Sequence, residues 1–237
     1  MKKQLVAFLL FWGCVLFTTG AFAQKTYTFP ATNIKKLYLS GYVKVALIEG
    51  AKEKITFTAS PDIKELVKVN VSNGKVYIKG STKRLKQVTN QRLEIQIYYK
   101  QLEFIKTRDE VHLTGKGLIK NETFDLIAID RSRVSLKVHA RDLRARIRTK
   151  SVVLLEGGVD AFDVKIKKGA SLKAYHLQTN TCQVSVKEES SASVFVREAI
   201  YISTGTGSLI EYRGNPKKVL KRRGISFNID FGALSLI

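Results

Sequence analysis

The sequence predicts an all-β protein whose larger part forms a right-handed parallel β-helix. Two observations lead to this fold class. Beyond residue 23, apolar residues alternate with polar ones at every second position, as in half-buried strands. Similar alternating segments also recur along the second half of the chain. Only the stretch 61–67 could form a helical turn, or else a loop, and it is our single helix candidate.

The recurrence has a period of about 20 residues, which is the size of one solenoid unit. Each unit pairs an alternating segment with a polar break and a second alternating segment. Such a unit cannot bury its own apolar edge, so it must stack on its neighbours. An antiparallel sandwich also has short, regularly spaced strands, but it has no reason to keep them in constant phase. The aligned segments begin at Leu102, Phe124, Leu143, Phe162, Cys182 and Ile200.

The chain divides into three parts. Residues 1–23 predict a secretory signal peptide: Lys2 and Lys3 precede an apolar run, and Ala21-Phe22-Ala23 offers a cleavage site before Gln24. A lipoprotein signal ending at Cys14 is the less favoured alternative. Residues 24–101 predict shorter strands that continue or cap the solenoid, with a hairpin turn at 72–74. Residues 102–237 hold the repeats.

Composition excludes several chemistries. After the signal peptide only Cys182 remains, so no internal disulfide framework or cysteine-rich metal site is expected. It falls in the same column as Leu143 and Phe162, which predicts a buried thiol that behaves as a small apolar residue. The histidines, which lie far apart in the sequence, do not form a zinc-binding motif; they are His112, His139 and His176. We therefore expect no metal and no cofactor.

Three segments resemble a known family. Leu37–Gly50, with its Ser-Gly-Tyr-Val-Lys-Val core, resembles the opening of the head GIN domain family of auto-transporter-type adhesins. Val71–Ile78 is similar to a later step of that pattern, and Ile210–Pro216, which follows Thr204–Ser208, to its closing motif. The turns between units depart from the family's Ser-Gly-rich type, and only the last keeps Gly205 and Gly207. The resemblance implies an exported adhesin-like β-helix protein of a Gram-negative bacterium, in the periplasm or on the cell surface.

Stacking the units predicts a basic face. We take Ile129, Ile147, Ile166 and Val186 as one inward position, which sets the outward columns. In this alignment Asp130 offsets Arg148 and Asp163 offsets Arg144. The cations left without a carboxylate, together with two arginines on the adjoining turn, form the candidate anion-binding site: Arg146, Lys165, Lys167, Lys187, Arg131 and Arg133.

Two interpretations of this face stay open. It is either a solvated surface that discourages aggregation, or a binding face for acidic polysaccharide, lipopolysaccharide or another envelope surface. The formal net charge of +21 concentrates polyanions near the protein in either case. Nucleic acid is disfavoured because exposed aromatic residues are too sparse to make a stacking platform.

An enzyme acting on acidic polysaccharide is the alternative function. Glycoside hydrolysis needs two carboxylates across a cleft, yet the alignment pairs Asp130 and Asp163 with arginines. The units are also too short to build a cleft wall. We therefore find no catalytic residues and predict a non-catalytic, adhesin-like binding protein.

Overall fold

The computed structural model describes residues 24–89 and 92–222. The predicted signal peptide, Cys14 and the C-terminal end of the predicted repeat region lie outside these residues. About 70% of the described residues are in strands and 6% in helices, and the strands form a β-solenoid of about six turns. The elements are β1 (Lys25–Pro30), β2 (Lys36–Ser40), β3 (Val43–Glu49), β4 (Lys54–Ala59), α1 (Pro61–Glu65), β5 (Val67–Ser72), β6 (Lys75–Gly80), α2 (Thr82–Val88), β7 (Leu93–Tyr99), β8 (Phe104–Arg108), β9 (His112–Ala128), β10 (Arg133–Arg148), β11 (Val152–Lys167), β12 (Ser171–Val186), β13 (Ser191–Thr204), β14 (Leu209–Arg213) and β15 (Lys218–Arg222).

Strands β9 to β13 are long, and each pairs in parallel with the next. Their first and second halves have different outer neighbours, so two rows of strands can be distinguished. We call sheet A the row formed by β1, β4, β7, β3, the first halves of β9–β13, and β14. Sheet B is the row formed by β5, β6, β2, β8, the second halves of β9–β13, and β15. The predicted parallel β-helix is confirmed.

The predicted repeat is confirmed by the strand register. The aligned starts at 124, 143, 162, 182 and 200 are direct neighbours in sheet B. All five side chains are buried. Cys182 is a free, buried cysteine in this row, as predicted. The first predicted start, Leu102, was wrong by one residue. Phe104 pairs with Asp125, so residue 103, and not Leu102, lies beside the next start, Phe124.

The inward assignment of Ile129 was also wrong. Ile147 pairs with Ala128, and Ala128 is fully buried while Ile129 is only half-buried. The period-2 alternation that starts at Phe124 runs through Leu126 to Ala128, and it leaves Ile129 on the outer side. Since a slip of one residue moves every side chain of a strand to the other face, this error changes the predicted partners on the first unit.

Serine hydroxyls support the tight turns between the units. Several turns place two consecutive residues at positive φ, as at Thr149-Lys150 and Glu188-Glu189. A buried serine follows these turns. Ser132 Oγ donates to the Ile129 carbonyl oxygen at 2.7 Å, and Ser151 Oγ accepts the Ser132 N–H at 3.2 Å. Each hydroxyl thus satisfies a backbone group that the turn leaves unpaired.

The N-terminal strands extend both sheets. The hairpin predicted at 72–74 is present, with Asn73 and Gly74 at φ 49° and 70° between β5 and β6. The antiparallel strands β4 and β1 lie at the outer edge of sheet A, and β5 lies at the outer edge of sheet B. The division at residue 101 and the right hand of the coil stay predictions.

The expected helical turn is α1, and a second helix, α2, was not predicted. Its seven residues are too few to show a helical period in the sequence. Leu85 anchors α2 because its side chain is fully buried against the end of β6, close to Gly80.

Candidate anion-binding surface

Sheet B carries an outward column of residues that runs across nine of its strands, from β6 to β15. Within this column, Arg146 on β10 is paired in register with Lys165 on β11. Neighbouring strands lie about 4.8 Å apart, which fixes the spacing along the column. We call this set the central column; from β6 to β15 it contains Tyr77, Tyr38, Lys106, Ile127, Arg146, Lys165, Ser185, Ser203 and Arg222.

A second column lies two residues further along each strand, next to the turns. Arg148 pairs with Lys167. Lys187 follows Val186, which pairs with Ile166, so Lys187 lies beside Lys167. The structure therefore brings the four predicted strand cations together on one surface. We call Arg146, Lys165, Lys167 and Lys187 the basic face.

These cations are available to a ligand. Arg146, Lys165 and Lys187 are exposed, and Lys167 is half-exposed. In the described part of the chain none of the four forms an ion pair with a carboxylate. Like charges on adjacent rungs repel each other, so an anion lying across the rungs would be favoured over bare solvent.

The predicted pairing of Asp130 with Arg148 was wrong. Asp130 lies in the turn at φ 56°, and its carboxylate is 3.6 Å from Arg108 Nε. The slip at Ile129 explains the error, since Ile129 and not Asp130 is level with Arg148. Arg148 consequently has no carboxylate partner among the described residues, and it adds a fifth cation beside the basic face.

The predicted pairing of Asp163 with Arg144 was also wrong. Arg144 does lie between two aspartates in register, Asp125 and Asp163. It donates to Asp125 instead, from Nε to Oδ1 at 2.6 Å and from Nη2 to Oδ2 at 2.9 Å. Asp163 Oδ1 is buried without a hydrogen-bond partner.

The two predicted turn arginines do not join the basic face. Arg131 Nη2 is 2.8 Å from Glu110 Oε1, and Lys86 Nζ is 2.6 Å from the other oxygen of that carboxylate. These hydrogen bonds and charges hold the pKa of Glu110 below its usual value. Arg133 begins β10 on sheet A, where it pairs with His112 and Val152. Neither arginine therefore widens the face as we expected.

Aromatic side chains at both ends of the central column were missed by sequence reasoning. The Tyr38 and Tyr77 rings stack with centroids 4.7 Å apart at 11°, and Phe104 lies 5.2 Å from Tyr38. Tyr38 and Tyr77, together with Lys79 and Lys106, line a shallow groove of about 410 Å³. Only the parallel pairing of β6, β2 and β8 brings these residues together, and no short motif signals it.

A second groove, of about 510 Å³, lies at the other end of the central column. Lys165, Lys187, Tyr201, Leu220 and Arg222 are among its lining residues. Tyr77 and Tyr201 are both 40% exposed. Each end of the central column thus combines an exposed ring with cations.

Sheet A differs from sheet B in its charges. Several of its acidic residues are engaged within the sheet: Lys44 Nζ lies 2.5 Å from Glu94, and Lys137 Nζ lies 3.6 Å from Glu156. Sheet A also carries exposed cations without an ion-pair partner in the described structure, among them Arg133 and Lys173, but they do not form two adjacent columns as on sheet B.

Two titratable groups away from the face are shifted by their surroundings. Burial, aided by the charge of Asp163, raises the pKa of the Cys182 thiol. Burial, aided by neighbouring arginines, lowers the pKa of His112 to about 4. The thiol and the imidazole are thus both neutral at pH 7, and neither faces the basic columns.

Among residues 24–89 and 92–222, no group of three or more His, Cys, Asp or Glu side chains could hold a metal ion. No helix in this part of the chain is long and apolar enough to cross a membrane.

The fold and this surface define the protein as a parallel β-helix with one basic face. The model of the family described as "Putative auto-transporter adhesin, head GIN domain" matches residues 33–216. The chain belongs to this family, which confirms the resemblance read from the sequence. Its membership agrees with an adhesin-like protein that is exported or at the cell surface. No curated protein matches the sequence.

Several solved structures share the fold. A "putative adhesin" from Bacteroides fragilis is 16% identical with a TM-score of 0.77, over 88% of this chain and 97% of that one. A "putative adhesin" from Parabacteroides merdae is 11% identical with a TM-score of 0.66, over 87% and 95%. A "putative lipid binding protein" from Parabacteroides distasonis is 11% identical with a TM-score of 0.57, over 84% and 94%. At these identities the likeness concerns the fold alone.

Proposed function

We propose that the protein is an exported, non-catalytic, adhesin-like protein that binds anionic glycan at the cell envelope through the basic face. The observation that carries the proposal is the stacking of Arg146, Lys165, Lys167 and Lys187 on adjacent rungs without carboxylate partners. Membership in an adhesin-like family supports a binding role, and the choice of ligand rests on the charge of this surface.

Electrostatics favours a ligand with many charges. An exposed cation contributes no more than about 1 kcal/mol to a single ion pair. A ligand that meets several cations at once adds these small terms, and it also gains from the attraction of the whole basic surface. A polyanion therefore fits the face better than a small anion does.

The enzymatic alternative has less support. The aspartates near the face do not offer two free carboxylates, because Asp125 is held by Arg144 and Asp130 lies beside Arg108, which leaves Asp163 as the one without an ion-pair partner in the described structure. Both grooves are shallow, and the turns are short. A β-helix hydrolase would need two free carboxylates on the walls of a cleft.

The site of action follows from the predicted signal peptide and the family. We propose that the protein works in the periplasm or at the cell surface of a Gram-negative bacterium, without a lipid anchor on Cys14.

A glycan array probed with the protein starting at Gln24 tests this function. The array should include acidic polysaccharides, lipopolysaccharide and neutral glycans, and it should be run at low and at physiological salt. We expect binding to acidic glycans that weakens steeply with salt, since charges are screened within about 8 Å at 0.15 M. Binding to neutral glycans alone, or no binding at low salt, would contradict the proposal.

A further inference from the structure

We infer that the ligand is a single linear acidic polysaccharide that lies along the solenoid axis and stacks sugar rings on Tyr77 and Tyr201. This inference rests on the proposed function and names the form of ligand that the face accepts. It also adds the two aromatic grooves to the binding surface as subsites.

The first argument is the spacing of the cations. The basic face carries its cations on three adjacent rungs, with Arg146 on β10, Lys165 and Lys167 on β11 and Lys187 after β12, and rungs repeat about every 4.8 Å. A linear polysaccharide of uronic acids presents one carboxylate per sugar, and one sugar advances the chain by about the length of one rung. Carboxylates of the glycan therefore stay in step with the cations of these three rungs, whereas the phosphates of a lipid surface have no such linear repeat.

The second argument is the length and shape of the surface. The central column crosses nine strands from Tyr77 on β6 to Arg222 on β15, which corresponds to roughly 38 Å. The outward surface along the central column is a narrow strip, and the turns border one of its edges. An extended chain of about eight sugars matches this strip.

The third argument is the chemistry at the two ends. Sugar rings have apolar faces formed by their C–H groups, and these pack on aromatic rings that keep one face open to solvent. Tyr77 is held in place by its stacking on Tyr38, and it stays 40% exposed. Tyr201 is equally exposed, beside Leu220 in register.

Cations stand next to each of these rings. Lys79 and Lys106 share the groove with Tyr77, and in the described structure neither forms an ion pair. Lys165, Lys187 and Arg222 share the groove with Tyr201. Each end can thus hold a sugar ring and its carboxylate together, and the basic face between them holds the intervening acids.

The test measures affinity against chain length. Oligogalacturonates and heparin oligosaccharides of two to twelve sugars are titrated into the protein starting at Gln24, and anionic lipid vesicles are tested in parallel. We expect affinity to rise with each added sugar up to about eight and then to level off, because longer chains find no further rungs.

Tyr77 variants separate stacking from charge. We expect Tyr77→Ala to weaken binding of the eight-sugar chains at least fivefold, with the loss maintained at high salt, and Tyr77→Phe to retain wild-type affinity. Tyr98→Ala on sheet A is the matched control and should leave affinity unchanged.

Three outcomes would overturn the inference. These are affinity that levels off at two to four sugars, Tyr77→Ala binding like the wild type, or binding to vesicles without binding to either oligosaccharide series. If the oligosaccharides bind through the basic face but show no length or Tyr77 dependence, the proposed function stands and only this inference fails. If no acidic probe binds at low salt, the proposed function itself fails.

Discussion

Arg144 is neutralised by Asp125, whereas Arg146, two residues further along the same strand, is free. The Arg144 guanidinium makes two hydrogen bonds to the Asp125 carboxylate, at 2.6 and 2.9 Å, between adjacent rungs. Arg146 has Ile127 and Lys165 as its neighbours in register, and neither can accept its hydrogen bonds. This contrast distinguishes charges that the fold already compensates from charges left for a ligand.

Removing the compensated pair should therefore have little effect. The double substitution Asp125→Ala/Arg144→Ala leaves the net charge of sheet B unchanged. We expect stability to change by no more than about 1 kcal/mol, as for exposed ion pairs, and binding to an acidic polysaccharide to stay within about twofold of wild type. Thermal unfolding and titration with polygalacturonate check the two expectations. A large loss of affinity would show that Arg144 itself contacts the ligand.

The stacked core should not tolerate charge. Val164 and Ile166 are fully buried in sheet B, so Val164→Asp or Ile166→Asp buries a carboxylate without a partner. The cost is several kcal/mol, which is comparable to the total stability of about 5–15 kcal/mol of a domain. Lys165→Asp, at the exposed position between them, is the control and should fold normally. Melting followed by circular dichroism compares the three, and an unchanged melting temperature for either core variant would disprove the inward assignment.

One glycine should be essential where its neighbour is not. Gly157 has φ 118°, and a Cβ there would lie 2.1 Å from the Val138 carbonyl oxygen. Gly157→Ala should therefore cost at least about 1–3 kcal/mol. At Gly158 the first contact of a Cβ would be His139 Nδ1 at 3.6 Å, so Gly158→Ala should change stability by no more than about 1 kcal/mol. Urea unfolding measures both, and equal effects would refute the distinction.

The buried thiol should make the fold sensitive to alkaline pH. Burial raises the pKa of Cys182 in the folded state, while an unfolded thiol ionises near about 8.5. The unfolded state thus loses a proton that the folded state keeps, and stability falls as pH rises above that value. Cys182→Ala removes this contribution. Urea unfolding at pH 7.5 and 9.5 should show a smaller decrease for the variant than for the wild type, and equal decreases would contradict the assignment.

The sequence was sufficient for the fold because the solenoid repeats a simple pattern. Phe124, Leu143 and Phe162 could be aligned correctly, since large apolar residues recur at inward positions of each unit. The alignment failed at Ile129. We chose Ile129 as the inward residue because it is larger and more apolar than Ala128, but Ala128 is the residue that points inward. That slip of one position produced the wrong partner for Arg148.

The candidate site was predictable only in part. Arg146, Lys165, Lys167 and Lys187 lie in consecutive units, so the repeat itself brings them together. The groove at Tyr38 and Tyr77 depends on parallel pairing between strands with no recognisable repeat, and the sequence gives no register for them. Arg131 and Arg133 were misplaced because the turn before β10 leads from sheet B to sheet A: Arg131 pairs with Glu110 in the turn, and Arg133 already begins a strand of sheet A.

The most direct test of the binding face is a fourfold charge reversal. Arg146→Glu, Lys165→Glu, Lys167→Glu and Lys187→Glu are combined in one variant. A matched control reverses exposed cations that lie outside the basic face and have no ion-pair partner in the described structure: Lys116, Lys120, Arg133 and Lys173. Both variants carry the same net charge, so a difference between them reports position rather than total charge.

The measurement is affinity for polygalacturonate at low salt and at about 0.15 M salt, with circular dichroism to verify the β-sheet content of both variants. A single Lys→Ala change should cost no more than about fivefold, which is about 1 kcal/mol. Our account predicts that the reversal on the basic face abolishes binding, while the control variant keeps most of its affinity and the same salt dependence as the wild type. Binding that survives the basic-face reversal, or that falls equally in both variants, would contradict it.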